Sequence, residues 1–157
     1  MDNDQQHFDT GIYKFNQSRY EGRTLPEMIP LARRNQERLT ELINRLFEHH
    51  SRLLVVRIDL GYRKDAADGI SLEMAQMHRE QLLRDRRNYP RIFNGLVGHA
   101  WSFERGEQKG YHFHFLAIFD GARRHDGVGI GMAIGELWRK ITRGNGQRYI
   151  SNFDKKK

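Results

Sequence analysis

Residues 96 to 119 constrain the fold more than any other part of the chain. Two apolar runs, Leu96 to Glu104 and Tyr111 to Phe119, flank Arg105 to Gly110, a polar segment with glycine at 106 and 110. Strand, turn signal and strand in that order make a hairpin. In the second run the odd positions are Tyr111, Phe113, Phe115, Ala117 and Phe119, and the even ones are His112, His114, Leu116 and Ile118. Successive side chains on a strand point to opposite faces, so the odd face is an aromatic core face and the even face carries two neighbouring histidines. An aromatic face of that kind needs a second layer to cover it.

Other segments supply the layers. From Pro30 to His50 the residues Leu31, Leu39, Leu42, Ile43, Leu46 and Phe47 recur at helical spacing among charged residues, the pattern of an amphipathic helix. Leu53 to Leu60 is a β-branched run ended by Gly61, with Arg57 and Asp59 on one face and Val56, Ile58 and Leu60 on the other. Ser71 caps a helix running to about Asn88 and stopped by Pro90. Its Leu72, Ala75, Leu82 and Leu83 point inward, and Arg79, Arg84, Arg86 and Arg87 outward, along phosphates or simply in solvent. Gly127 to Arg143 places Ile130, Ile134, Leu137, Trp138 and Ile141 on one helical face, and Gln147 to Phe153 is a short last strand. The expected class is α+β, an antiparallel central sheet with helices packed on it, with a polar arm over residues 1–25 and a single domain over 26–157.

The chain has no cysteine, which excludes disulfides, thiolate zinc sites and cysteine nucleophiles. Glycines crowd residues 127–135, but their spacing matches neither the dinucleotide fingerprint nor a P-loop, so no nucleotide cofactor is expected and Gly131 and Gly135 serve close packing. The net charge is +7 and lies toward the histidine half: residues 101–157 carry 11 Lys+Arg against 6 Asp+Glu. A basic surface attracts phosphate backbones and also occurs on proteins that only stay soluble. No apolar run approaches the ~20 residues of a membrane span, and the polar start is no signal peptide. A cytoplasmic protein without membrane contact is expected.

If the hairpin pairs Glu104 with His112, it also pairs Ser102 with His114, above a floor of small residues, Gly98 and Ala100. Two imidazole nitrogens and one carboxylate suit Mn²⁺, Mg²⁺ or Zn²⁺ and leave coordination positions open for water or a phosphate oxygen. The same residues also fit half-buried hairpin histidines beside a solvated glutamate, and the spacing alone leaves both readings open. His49 and His50 fit a helix end, where positive charge is favourable, and His99 has the opposite parity.

At these residues the chain resembles the His-hydrophobe-His (HUH) superfamily of single-strand DNA endonucleases, and within it the inovirus-type replication proteins and the YagK/YfjJ C-terminal domain family. The matching stretches are residues 54–60, the histidine strand with its flanks at 110–121, and residues 134–138 and 146–152. The resemblance implies a rolling-circle replication protein of phage or prophage type in a bacterial host. Such a protein uses Mn²⁺ or Mg²⁺ to nick and transfer single-stranded DNA at a replication origin, with host replication proteins as further partners. By position it implies His112, His114 and Glu104 as metal ligands, with Asp59 and Ser102 in support. Arg57, Tyr62, Arg63, Arg105, Lys109, Arg123 and Arg124 are candidates to contact DNA, and Tyr62 and Trp101 to stack on bases. The family's nucleophile is a tyrosine on a helix beyond the last core strands. Up to Lys157 no matching helix is expected, and Tyr149 is the candidate that remains. Three readings stay open: a metal-dependent strand transferase, a non-catalytic DNA-binding remnant or regulator of replication, and a basic interaction domain with no nucleic-acid role.

Overall fold

A five-stranded sheet in the order β1-β3-β4-β2-β5 carries the structure, a computed structural model that describes residues 8–9, 25–107 and 109–150. The strands are β1 (Phe8–Asp9), β2 (Leu53–Tyr62), β3 (Leu96–Gly106), β4 (Gly110–Asp120) and β5 (Gly146–Ile150), and the longer helices are α1 (Leu25–His49), α3 (Leu72–Asp85) and α5 (Gly127–Ile141). Two single-turn helices, α2 (Lys64–Ala67) and α4 (Pro90–Phe93), complete the described elements. β2 to β5 are antiparallel, and β1 adds a short parallel edge against β3. The expected α+β class is what the chain adopts.

Local chemistry explains most of the boundaries. α1 begins earlier than Pro30, with Pro26 in its first turn, where a missing N–H is one of the helix's unpaired donors anyway. Ser71 accepts from the backbone N–H of Met74 at 3.1 Å and caps α3, and Asp126 accepts from Gly129 N–H at 2.8 Å and caps α5. The hairpin turn ends at Gly110, whose φ of +67° and close approach to Ala67 require glycine. β2 runs two residues past Leu60 and takes Gly61 into the sheet. The last strand is described as far as Ile150; its expected continuation to Phe153, and most of the expected N-terminal arm, lie outside the described residues.

The sheet is covered on both faces, unequally. Val56, Ile58, Leu60, Phe103, Phe113, Phe115 and Phe119 face α3 and α5 and form the main core with Ile134 and Trp138. Among the described residues, the other face is closed only at one end, where Leu42 and Leu46 of α1 pack on Val97 and Ile118. Parity holds along β4 but slips in β3: a bulge between Leu96 and Gly98 sends Leu96 to the main core and Val97 to the α1 side. Along the α1 face of β4 Ile118 is buried, whereas Leu116, His114 and His112 are only half-buried, so among the described residues the histidine end is the more open one.

The arginines of α3 correct one expectation. Arg79 does not point outward: it is 7% exposed and lies with its guanidinium 4.0 Å from the centroid of the Trp101 ring. Ala75, Arg79, Leu82 and Arg86 recur at helical spacing on the sheet-facing stripe, and Arg86 reaches His99 Nε2 at 3.2 Å. The long aliphatic stems and the stacking of guanidinium on indole let an arginine occupy a stripe that the polarity of its head group argues against.

Candidate metal centre

The observed register is the one the site needs. Glu104 stands opposite His112 and Ser102 opposite His114 across the hairpin, and Asp59 of β2 stands opposite His114 on the other side. All of these side chains therefore rise from the same face of the sheet. Glu104 Oε2 lies 3.2 Å from His112 Nε2 and 3.3 Å from His114 Nε2, and the two rings meet edge to face with centroids 5.4 Å apart. Glu104, His112 and His114 form the one cluster among the described residues whose donor atoms could share a metal ion, all within 4.8 Å of one another.

The far side of each ring determines what the near side can do. His114 Nδ1 is 2.6 Å from Asp59 Oδ1, and His112 Nδ1 is 3.1 Å from the carbonyl oxygen of Gly110. A carbonyl only accepts, so the His112 proton sits on Nδ1, and an ionised Asp59 places a proton on Nδ1 of His114 in the same way. Both Nε2 lone pairs are then left for a cation, the outer-shell arrangement that orients imidazole ligands and raises their basicity. A divalent ion fits this donor set of two nitrogens and a carboxylate oxygen, with a ligand count short of saturation.

Electrostatics follow from the Asp59–His114 contact. The hydrogen bond to Asp59 raises the His114 pKa above the ordinary histidine value; burial opposes this, and the charges of Asp59 and Glu104 reinforce it. For Asp59 burial is the largest influence and pushes the pKa up, but the hydrogen bond and charge of His114, with Arg57, bring it below the usual carboxylate value. A metal at Nε2 must displace a proton from His114, so apparent Mn²⁺ affinity is expected to fall as pH drops through the raised His114 pKa and to level off above it. In the metal-free protein the His114 contribution has the opposite sign, complete below the unfolded histidine pKa and lost as pH rises through the raised one, while the Asp59 contribution is lost as pH falls through its lowered pKa. Calorimetric Mn²⁺ titrations across pH test the first statement. Asp59→Asn is expected to weaken Mn²⁺ binding about 10- to 100-fold without unfolding the chain, the usual cost of losing an outer-shell partner.

Asp59, expected in support of the metal ligands, touches the site through Nδ1 of His114. Gly61 was read only as a strand end, yet a Cβ there would lie 3.2 Å from the Cβ of His112, so glycine leaves the room that ring occupies. That signal is visible only once β2 is paired with β4.

The expected DNA contacts divide by position. Arg57 borders the centre through Asp59, 3.5 Å away. Lys109 lies by His112 at the hairpin tip: both approach the position a Cβ on Gly106 would take, to 3.5 and 3.6 Å. Arg105 stacks over Tyr111 on the other face, at 5.4 Å. Arg123 and Arg124 sit at the far end of β4, roughly 20 Å from His114 at strand rise. There Arg124 donates to the carbonyls of Ile92 and Asn94 at 3.0 and 2.7 Å, and Arg123 to Asn94 Oδ1 at 3.1 Å. Those bonds tie the α4–β3 turn to the end of β4. Tyr62 and Trp101, expected to stack on bases, are each 5% exposed and belong to the core. Tyr62 lies on the α3 side with its hydroxyl 2.8 Å from His78 Nδ1, because position 62 shares parity with Ile58 and Leu60.

Tyr149 is 53% exposed on edge strand β5 and pairs with Asp59, so Ser102, His114, Asp59 and Tyr149 form one row across four strands on the open face. At the same edge but on the α5 side of β5, Arg63, Arg139 and Arg148 line a cleft of about 640 Å³, with Arg148 3.0 Å from Glu136 Oε1. The arginines at 139 and 148 were not singled out by the sequence pattern, since one lies on α5 and the other on β5 and only the fold brings them together. No curated protein matches the chain. The model of the YagK/YfjJ C-terminal domain matches residues 30–153, about four-fifths of the chain, and the protein belongs to that family.

Proposed function

We propose that the chain is the metal-dependent, single-strand DNA nicking and strand-transfer domain of a phage- or prophage-type rolling-circle replication protein. The observation that carries this reading is the convergence of His112 and His114 Nε2 on the Glu104 carboxylate while each Nδ1 is engaged behind it. A divalent ion held by these three residues supplies Lewis-acid polarisation of a phosphodiester oxygen. Asp59 keeps His114 in the tautomer that leaves Nε2 available, and Arg57, Lys109 and the arginine cleft beside Tyr149 attract the strand.

Tyr149 is the proposed nucleophile. Its phenol oxygen attacks phosphorus and forms a phosphotyrosyl bond to the 5′ phosphate. The bond from phosphorus to the 3′ oxygen breaks, the phenol proton passes to solvent, and the departing oxygen takes one up to become a 3′ hydroxyl. The experiment is incubation with Mn²⁺ and single-stranded oligonucleotides, followed by mass spectrometry for a covalent adduct. An adduct on the wild type, absent in Tyr149→Phe with metal affinity unchanged, is expected.

One observation favours the second reading, a DNA-binding remnant or regulator that does not cut. Tyr149 lies two strands from His114, roughly 10 Å between backbones, and on a strand rather than a helix. Salt-sensitive DNA binding that survives loss of the histidines, with no adduct, is the result that would replace the first reading with this one.

A further inference from the structure

Next to the metal centre, and one row further along the sheet, is a slot of about 310 Å³. Ala100 and Leu116 form its floor, Ser102 and His114 its end toward the centre, Arg57 one rim, and Leu39 of α1 stands over it. It exists because α1 seats Leu42 and Leu46 against Gly98 and Ile118, whereas one turn earlier Leu39 faces a β3 that offers only Ala100 and Ser102. Small side chains below and a half-buried leucine above leave a gap lined mainly by apolar groups, with Arg57, Ser102 and His114 at its edges.

We infer that this slot receives a nucleobase of the bound strand, the base of the nucleotide whose phosphate lies at the metal centre. The inference rests on the proposed function and adds a subsite to it. Three features select this occupant. The lining between its edges is apolar, which suits the π-face of a base and gives a charged group nothing to bond inside. His114 borders both the slot and the centre, so one ligand reaches both. Adjacent rows on one face of a strand are roughly 7 Å apart, about the span from a nucleotide's phosphorus across its sugar to the base. Arg57, with a half-exposed side chain at the rim, adds positive charge where the sugar-phosphate leaves the slot. Apart from His114, which faces the centre, the Ser102 hydroxyl is the neutral hydrogen-bonding side chain at the border, so the slot discriminates weakly among bases.

The test uses ligands with a single phosphodiester, which fixes their position at the centre. Mg²⁺-loaded protein is titrated with the dinucleotide TpT and with dimethyl phosphate, following methyl and histidine-ring resonances by NMR. TpT is expected to bind at least about tenfold tighter, the order of one stacked base, and to shift the methyls of Leu39 and Ala100, which dimethyl phosphate leaves unmoved. Ala100→Val, which raises the floor, is expected to bring the two affinities together; the wild-type comparison stands even where that variant folds poorly. Equal affinities with Leu39 and Ala100 silent would overturn the slot while leaving the phosphate site intact. Failure of both ligands to perturb His112 and His114 would overturn the proposed function and the slot with it.

Discussion

His114→Ala is expected to abolish saturable 1:1 binding of Mn²⁺, a loss of more than about a hundredfold. The change removes one of the two imidazole donors, and Asp59 gives up its 2.6 Å partner, keeping Arg57 at 3.5 Å. Loss of an outer-shell partner alone costs about 10- to 100-fold, so loss of the ligand must exceed that. Folding is expected to survive, because His114 is half-buried on the open face and contributes nothing to the aromatic core. Calorimetry on the wild type and the variant, with far-UV circular dichroism as a control, gives the answer. Undiminished Mn²⁺ binding in the variant would remove His114 from the centre.

Trp138→Ala is expected to cost about 3–5 kcal/mol, the range for truncating a large buried aromatic. Trp138 is fully buried, meets Phe113 edge to face at 4.8 Å, stands 5.7 Å from Tyr62, and donates from Nε1 to the Gly61 carbonyl at 2.7 Å. Two of these neighbours also set the metal centre: Phe113 lies between the histidines in sequence, and Gly61 faces His112 across the sheet. Urea unfolding is expected to show the full loss. Trp138→Phe, which keeps a ring and drops the indole hydrogen bond, is expected to recover most of it. A loss in Trp138→Ala below about 1 kcal/mol would mean that α5 is not anchored through this residue.

Periodicity made much of this legible. Alternation along 111–119 identified the core face, and one assumed pairing, Glu104 with His112, fixed Ser102 opposite His114; the structure has both pairs. Capping chemistry sets the starts of α3 and α5 at Ser71 and Asp126, of which Ser71 is the cap expected from the sequence. What stayed hidden depends on a third strand or on shape. The position of β2 beside β4 turns Asp59 into the partner of His114 and Gly61 into space for His112, and neither relation has a local signature. The burial of Arg79 follows from Trp101 opposite it, and the exchange of Leu96 and Val97 between faces follows from a single bulge. Tyr62 and Trp101 were read as surface aromatics although their parity with Ile58 and Phe103 already pointed to the core. Arg123 and Arg124 were grouped with the site by charge, while the length of β4 separates them from it.

The most direct test of the metal centre, on which the proposed function depends, is anomalous diffraction from crystals of the protein grown with Mn²⁺. One peak within bonding distance of Nε2 of His112, Nε2 of His114 and a carboxylate oxygen of Glu104, with Asp59 still on Nδ1 of His114, is the predicted result. A peak coordinated through Nδ1, or Mn²⁺ bound elsewhere with these three residues unchanged, would contradict it.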